Sequence, residues 1–344
     1  MADFMADPDL KDRFLNVLKG KTVDKVPALS VTQTGTLELM EKSGAAWPEA
    51  NFNAEKMADL ALAAHKFAGL EAVRYPFCLT VLSEAMGCSI NQGRRDVQPF
   101  PDSQPFADKA ENLELPSDFT DRGRIPLIVD VTSTLRKRIG EEVPLIAGIE
   151  GPASLASRLL GTYNFLTWVL RKPELLQRCL KVTGTACSEY AVVLSEAGAD
   201  AVCIVDGIAG PDMLDPKHLA SLIKPEYEHF YRAGKGIKLI HMCGNSTSIL
   251  KMLSECGFNG ISIEEKVTDL PAAKKLVGKK VSLIGNLSSS GVMLTGTCED
   301  VKNEAKKCLE GGIDILAPGC GIAPRTSLAN LKALVDARDE FYSE

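Results

Sequence analysis

The sequence predicts an α/β fold, a (β/α)8 TIM barrel in which parallel strands alternate with helices. Apolar runs typical of buried parallel strands recur eight times in the 344 residues, and apolar helical patterns separate most of them. A junction in which a helical pattern ends at glycine and a short turn enters a strand is also repeated. This junction occurs at 67–75, 196–204, 255–263 and 310–318. Eight such units favour a closed barrel, although the pattern alone leaves a doubly wound sheet open.

The predicted elements follow in chain order. Residues 1–25 are expected to form an N-terminal amphipathic helical extension without an apolar signal core. The irregular stretch 87–140, rich in Pro, Asp and Gln near its start, is expected to be an insertion after the second strand rather than a separate domain. Thr297 and Asp300 form a capping pair at the start of a late helix. Residues 1–344 are therefore predicted to form one barrel domain. The strands are predicted at 26–32, 72–78, 144–150, 201–207, 237–243, 260–265, 281–287 and 314–320.

Composition and charge exclude several classes of function. The chain is 45% hydrophobic and 24% charged, as in ordinary globular proteins, and its net charge of −6 without a long basic run argues against nucleic acid as a partner. No apolar stretch approaches the ~18 residues needed to span a membrane. Ten cysteines without paired spacing indicate reduced thiols rather than a disulfide framework. We therefore expect a cytoplasmic protein.

Polar side chains end several predicted strands, where barrels of this class hold their chemistry. His241 and Cys243 end the fifth strand two positions apart, so both side chains face the same way. Cys320 ends the eighth strand, and Glu264 with Glu265 offers a carboxylate at the end of the sixth. One imidazole and two thiolates form a catalytic zinc set that leaves a further position open, and this mixture of donors favours zinc over magnesium or calcium. The alternative is that all three are ordinary core residues.

Other strand ends allow two interpretations each. Asp206, after the fourth strand, is either catalytic or orients a neighbouring side chain. The serine run 288–290 after the seventh strand either offers backbone N–H groups to an anion or simply begins a helix. His65, His218 and His229 lie in helical patterns, where a surface or core role is favoured.

Four segments of the chain resemble the uroporphyrinogen decarboxylase superfamily: VDKVPALSVTQTG, HMCGN, GNLSS and APGCGIAP. Within that superfamily they are similar to the zinc-dependent methylcobalamin:coenzyme M methyltransferases of methanogenic archaea. The family signature, H-x-C followed at long distance by a third cysteine ligand, is matched by His241, Cys243 and Cys320. The resemblance covers nearly the whole chain, and it implies a (β/α)8 barrel with zinc at its mouth.

The chain departs from the decarboxylase branch of this superfamily. That branch carries R-Q-x-G-R after its first strand, whereas Thr32 and Thr36 stand here in place of both arginines. It also has an essential aspartate after the second strand, where this chain has Cys78. A porphyrinogen with many carboxylates would therefore lack its charge partners. The segments TQTGT, AAWPEA and RYPFCLT resemble the methanol-pathway member of the methyltransferase group, because the methylamine-pathway isoenzyme typically has an acidic residue where Cys78 stands.

The resemblance implies transfer of a methyl group from Co(III) of a methylated corrinoid to the thiol of coenzyme M, which gives methyl-coenzyme M in methanogenesis from methanol. Zinc would deprotonate the thiol. Coenzyme M and a methylated corrinoid protein are the expected partners, because the chain has no D-x-H-x-x-G stretch to carry the corrinoid itself. Glu264 is expected as a displaceable fourth zinc ligand, with water as the alternative. The insertion at 87–140 is a candidate part of the docking surface.

The sequence identifies the residues that contact coenzyme M and the corrinoid less clearly than it identifies the zinc ligands. Arg74, Asn286, Ser288 and Arg325 are candidates for binding the sulfonate of coenzyme M, and Asp206 for contacts to the zinc ligands or the corrin edge. The alternative functions are the methylamine-pathway isoenzyme and another zinc thiol methyltransferase of the superfamily. A decarboxylase-type enzyme without a metal, and a non-catalytic docking subunit with a structural zinc, are more distant alternatives.

Overall fold

The computed structural model of the protein describes residues 10–343, and its centre is a curved sheet of seven parallel strands. Each strand of this sheet pairs with the sheet's next strand in chain order, so the sheet winds round in sequence order. The strands of this sheet are β1 (Val73–Tyr75), β4 (Leu145–Glu150), β5 (Ala201–Val205), β6 (Ile237–Met242), β7 (Gly260–Ile263), β8 (Ser282–Leu287) and β9 (Ile315–Pro318), and β2 (Ile90–Asn91) and β3 (Phe100–Pro101) form a separate hairpin. The predicted α/β barrel architecture is confirmed.

Helices alternate with the barrel strands as the sequence pattern predicts. The predicted junction glycines have the left-handed conformation that ends a helix, with φ of 78° at Gly69 and 84° at Gly312. The capping box of Thr297 and Asp300 is also present. The helices are α1 (Leu10–Leu18), α2 (Leu37–Ser43), α3 (Ala54–Ala68), α4 (Val81–Ala85), α5 (Ile125–Ile139), α6 (Pro152–Leu160), α7 (Thr162–Arg171), α8 (Pro173–Glu196), α9 (Pro216–His218), α10 (Lys224–Arg232), α11 (Leu250–Glu255), α12 (Leu270–Val277), α13 (Val292–Thr295), α14 (Cys298–Glu310) and α15 (Leu328–Ser343).

The first predicted strand, at 26–32, is much shorter than expected. The structure reduces it to a single parallel bridge between Ala28 and Leu316 of β9. On its other side the carbonyl of Ala28 accepts a hydrogen bond from the N–H of Glu71, 2.9 Å away and just before β1. Pro27 has no N–H to donate, which limits how far a ladder can extend here. The segment nevertheless lies between β9 and β1 and completes the ring of eight.

The predicted irregularity of 87–140 holds for its first part only. The hairpin β2–β3 and two short 3-10 turns are followed by α5, a helix of fifteen residues. Its apolar face buries Ile125, Ile128, Val131 and Leu135, and Pro126 stands in its first turn. This helical spacing and the proline were visible in the sequence, but the preceding Pro-rich loop obscured them.

Helix α1 closes the amino-terminal end of the barrel. Phe14, Val17 and Leu18 are buried in the same cluster as inward-facing strand residues such as Ile146. The hydroxyl of Ser282, the first residue of β8, donates a hydrogen bond to the carbonyl of Val17 at 3.0 Å. The N-terminal extension predicted over 1–25 is thus helical from Leu10 to Leu18, and residues 1–9 lie outside the described part. Across residues 10–343, no helix is long and apolar enough to cross a membrane.

A buried ion cluster joins the two ends of the chain below the barrel. Glu71 binds the guanidinium of Arg338 at 2.6 and 2.9 Å, and it also lies 3.4 Å from Arg13 of α1. Its second oxygen accepts the N–H of Ala28 at 3.0 Å. One carboxylate therefore holds α1, the short first strand segment and the C-terminal helix α15 together.

Candidate metal centre

Four side chains converge at the carboxyl-terminal end of the barrel. His241 lies in β6 and Cys243 directly follows that strand, while Glu264 follows β7 and Cys320 follows β9. One ligand atom from each of the four lies within 4.8 Å of every other. In the part of the chain that the structure describes, no other group of three or more such side chains is arranged in this way. These are the four residues that the sequence analysis assigned to a metal.

The donor atoms fit a zinc-sized cation. Tetrahedral zinc with bonds of about 2.0–2.3 Å places its ligand atoms roughly 3.3–3.8 Å apart. The Sγ of Cys243 and the Nε2 of His241 are 3.4 Å apart, and all four ligand atoms lie within 4.8 Å of one another, so the spacing of the group is close to what zinc requires. Two sulfurs and one imidazole nitrogen also suit zinc better than magnesium or calcium, which prefer oxygen ligands.

The ring of His241 is held in place by a residue of the neighbouring strand. Its Nδ1 lies 3.0 Å from the hydroxyl of Ser262, which leaves Nε2 facing Cys243. Ser262 is the register partner of His241 across the β6–β7 pair, and both are buried. Ser262 is not among the residues predicted from the sequence, although a polar residue on the inner face of an apolar strand is a visible signal. Such hydrogen bonds orient metal-binding histidines and fix their tautomer.

Substitution of Ser262 by alanine is expected to weaken metal binding by about 10- to 100-fold, because the ring of His241 loses the hydrogen bond that holds its Nδ1. Competition with a chelator of known affinity measures this change. Ser282→Ala is the matched control, since Ser282 is a buried strand serine whose hydroxyl bonds to Val17 at the opposite end of the barrel. Equal metal affinities in the two variants would show that Ser262 does not orient the ligand.

The loop that carries Cys320 is clamped by two hydroxyl groups. Ser289 accepts a hydrogen bond from the N–H of Cys320 and donates one to its carbonyl, both at 2.9 Å. Thr32 donates a further hydrogen bond to the same carbonyl at 2.9 Å. Thr32 is one of the two threonines that stand where the decarboxylase branch has arginine. Neither hydroxyl was predicted from the sequence to hold this loop. Thr32 is 288 residues from Cys320 along the chain and Ser289 is 31 residues from it, and the sequence does not show that these segments meet.

The acidic groups of the centre compete for protons. A hydrogen bond between the two thiols lowers the pKa of Cys320, and the same contact together with burial raises the pKa of Cys243. Burial also raises the pKa of Glu264. Three acidic groups in so small a space cannot all ionise unless a cation offsets their charge. A divalent cation at this place would offset their charge, so the donor set fits such an ion with thiolate ligands.

A small cavity of about 200 Å³ opens beside the centre. It is lined by Glu264, Cys320 and the hydroxyl-bearing Ser289 and Ser290, together with the backbone around Gly321. Glu264 and Cys320 are half-buried, whereas His241 is fully buried. The side of the ligand set that carries Glu264 and Cys320 therefore faces the cavity, which is large enough for a short thiol.

Asp206 directly follows β5, at the same end of the barrel as the centre, but its side chain points elsewhere. Its oxygens accept the N–H groups of Ala153 at 3.2 Å and Ser154 at 2.6 Å, at the start of α6. The hydroxyl of Tyr227 donates to it at 2.8 Å. Burial raises the pKa of Asp206 even though these donors oppose the shift. The structure therefore gives Asp206 the role of capping α6 and does not bring it to the metal ligands.

Asn286 and Ser288 do not line the cavity beside the metal ligands. The amide of Asn286 donates to the carbonyls of Glu264 at 3.2 Å and Val267 at 3.0 Å, so it supports the backbone that carries this ligand. The N–H of Ser288 already donates to Glu304 at 2.8 Å. Both residues line a separate cavity of about 410 Å³ between α12 and α14.

The two candidate arginines have very different environments. The side chain of Arg325 is 74% exposed and forms an ion pair with Asp96 of the insertion at 3.1 Å. Arg74 is buried inside the barrel. The structure therefore does not bring Arg325 to the metal ligands, whereas Arg74 occupies the barrel interior below them.

Comparison with known proteins connects this site to a family. The model of the uroporphyrinogen decarboxylase (URO-D) family matches residues 9–341. The chain is 45% identical over 339 residues to the methylcobamide:CoM methyltransferase MtaA of Methanosarcina barkeri, covering 98% of this chain and 100% of the relative. It is 35% identical to the methylcobamide:CoM methyltransferase MtbA of Methanosarcina acetivorans, covering 96% and 98% of the two chains. A solved methyltransferase structure from Methanosarcina mazei superposes with a TM-score of 0.95 at 46% identity, covering 97% and 99%.

Proposed function

The chain belongs to the uroporphyrinogen decarboxylase family, and from this premise we propose that it is a zinc-dependent methyltransferase that moves a methyl group from a methylated corrinoid to the thiol of coenzyme M. The observation that carries the proposal is the convergence of His241, Cys243, Glu264 and Cys320 at the mouth of the barrel. The 45% identity to MtaA over nearly the full length of both chains supports the same reaction.

Decarboxylation of a porphyrinogen, the reaction for which the family is named, fits this chain poorly. Thr32 holds the Cys320 loop by its hydrogen bond to the Cys320 carbonyl. Thr36 is the N-cap of α2, where its hydroxyl accepts the N–H of Leu39 at 3.4 Å. Neither position therefore offers a cation to a carboxylated porphyrinogen. Cys78 likewise provides a thiol where the decarboxylases have an essential aspartate.

His241, Cys243 and Cys320 are the residues that would hold zinc, and Glu264 would be the fourth ligand that gives way to substrate. Zinc at this place would lower the pKa of a thiol substrate, so that the substrate reacts as its thiolate near neutral pH. Glu264 suits the exchangeable position because it lines the cavity into which a short thiol fits. Cys243 and Cys320 would bring two negative charges, which limits how strongly the centre withdraws electrons from a third sulfur.

The remaining chemistry is a displacement that the chain assists by positioning. A bond forms between the thiol sulfur and the methyl carbon while the cobalt–carbon bond breaks, and the electron pair of the broken bond stays on cobalt. The thiol proton is released to solvent. The methyl donor would be a corrinoid held by a separate protein, which must reach the mouth of the barrel.

We further propose that the methyl group derives from methanol rather than from methylamines. Identity to MtaA is 45%, against 35% to MtbA, and Cys78 stands where the methylamine-pathway isoenzyme typically has an acidic residue. The test uses the zinc-loaded enzyme with coenzyme M and measures methyl-coenzyme M by chromatography. Methylcobalamin should serve as donor, and the methylated corrinoid protein of methanol metabolism should react faster than that of methylamine metabolism. No methyl-coenzyme M from any donor would refute the proposed function, and faster reaction with the methylamine protein would refute only its pathway.

A further inference from the structure

Five cationic side chains are buried among the residues described, and two of them have no carboxylate partner. Arg13 and Arg338 share Glu71, and Arg124 binds Glu84. The two without such a partner are Lys238 and Arg74. A buried charge without an opposite charge costs several kcal/mol unless other groups compensate, so each of these two needs an explanation.

Lys238 is accounted for by its position on the outer face of β6. Its ammonium group donates to the carbonyl of Lys235 at 3.0 Å, at the amino-terminal edge of the sheet. The same group lies 5.9 Å from the centre of the Phe230 ring of α10. Because Lys238 and His241 are three residues apart in one strand, their side chains point to opposite faces. Lys238 therefore cannot face the metal centre.

Arg74 lies on the inner face of the barrel. Its Nη2 occupies the space that a side chain at Gly148 would fill, since a Cβ atom there would lie only 1.8 Å away. Its Nε donates to the carbonyl of Val31 at 3.4 Å, and its Nη1 donates to the carbonyl of Pro76. Among the described residues, no acceptor binds Nη2. The Nη2 group of Arg74 therefore has N–H donors in the barrel interior that are available to a ligand.

The guanidinium points toward the end of the barrel that carries the metal ligands. Pro76 follows β1, so the side chain of Arg74 runs in the carboxyl-terminal direction of its own strand. The guanidinium fills the side-chain position of Gly148, which is the register partner of Cys203, and the next inward residue of that strand, Val205, is the register partner of His241. The charge of Arg74 thus lies about one layer of side chains below the histidine ligand.

Burial lowers the pKa of Arg74 to about 10, which still leaves the group positively charged at neutral pH. Two backbone carbonyls offset part of the cost of burying this charge. An anionic ligand in the barrel would offset the rest, and a guanidinium fork suits an anion with several oxygens in one plane.

We propose that Arg74 binds the anionic end of the thiol substrate, the sulfonate of coenzyme M, while the thiol of the same molecule lies at the centre formed by His241, Cys243 and Cys320. This inference rests on the proposed function. It assigns to Arg74 the selection of short thiols that carry a terminal anion over neutral thiols of the same size.

The test compares coenzyme M with 2-mercaptoethanol as methyl acceptors for wild-type protein and for Arg74→Met, with methylcobalamin as donor. Loss of a charge-assisted contact is expected to lower the ratio of kcat/KM for coenzyme M over 2-mercaptoethanol by about 10- to 100-fold, mainly through KM for coenzyme M. Arg74→Lys keeps the charge but not the fork, and an intermediate fall is expected. Arg124→Met is the matched control, because Arg124 is also buried but already paired with Glu84, and it should keep the wild-type ratio.

Thiol-free ethanesulfonate provides a second measurement that does not depend on turnover of either variant. It should compete with coenzyme M in the wild-type protein and compete at least about tenfold more weakly in Arg74→Lys. Unchanged ratios and unchanged inhibition in the Arg74 variants would overturn the assignment of Arg74. If wild-type protein methylates neither thiol, the proposed function itself fails, so the two failures are distinguishable.

Discussion

Replacement of Cys320 by alanine is expected to lower kcat/KM for methyl transfer to coenzyme M by at least about 1,000-fold, because a metal contributes several kcal/mol to such a reaction and each 1.36 kcal/mol is a factor of ten. The same substitution should reduce the zinc content of the purified protein well below one ion per chain. Cys320 supplies one of two sulfur donors, and His241, Cys243 and Glu264 would remain as an incomplete set. Metal analysis and the rate with methylcobalamin measure the two effects.

Cys256→Ala is the control for this experiment. Cys256 is a buried thiol at the end of α11, its Sγ donates a hydrogen bond to the carbonyl of Met252, and it is not one of the four converging side chains. This variant should keep its zinc and its activity. A Cys320→Ala protein that retains both would remove Cys320 from the metal centre and would leave the family signature without a chemical role in this chain.

Replacement of Glu71 by alanine is expected to lower the free energy of unfolding by about 3–5 kcal/mol, the usual cost of breaking a buried ion pair by removing one partner. Glu71 faces two buried guanidinium groups, those of Arg338 and Arg13, whose other carboxylate partners, Asp339 and Asp24, are much more exposed. The carboxylate also accepts the N–H of Ala28, which belongs to the short segment that completes the barrel. Urea unfolding at neutral pH, followed by circular dichroism, measures the loss.

Asp339→Asn is the matched control for Glu71. Asp339 also binds Arg338, at 2.8 Å, but its side chain is 47% exposed. Ion pairs of this kind contribute up to about 1 kcal/mol, so the control should unfold close to the wild-type protein. If Glu71→Ala costs no more than the control, the cluster does not hold the ends of the chain as the contacts indicate.

Sequence reasoning reached the metal ligands because their geometry depends on one strand at a time. His241 and Cys243 share a face through the alternation of side chains along β6, and the carboxyl ends of parallel strands meet at one edge. Cys320 and Glu264 follow from the same rule applied to two other strands. The four residues could therefore be grouped before their distances were known.

The supporting residues depend on pairing between distant segments, which the sequence does not display. Ser262 faces His241 only because β6 and β7 pair in one particular register, and Ser289 reaches Cys320 only through the loops after β8 and β9. The candidate contacts at Asn286 and Ser288 were placed correctly at a strand end, but loop conformation turns their groups toward Glu264 and Glu304. Side-chain direction after a strand ends is set by the loop, and alternation no longer predicts it.

The two local differences in the fold have equally physical origins. The run at 26–32 is apolar enough to be a strand, but the proline in it removes a donor, and the structure keeps only the bridge at Ala28. Helix α5 was hidden by the Pro- and Asp-rich loop before it, although its own apolar spacing is helical. In the first case a single proline shortens an apolar strand. In the second, an irregular loop makes the helical periodicity that follows it harder to recognise.

The most direct test of the account is zinc analysis combined with X-ray absorption at the zinc edge, with and without coenzyme M. The account predicts one zinc per chain with nitrogen and sulfur ligands from His241, Cys243 and Cys320, and one additional sulfur ligand when coenzyme M is added. Absence of zinc from protein prepared in its presence, or a ligand set that does not change on adding coenzyme M, would contradict thiol activation at this centre.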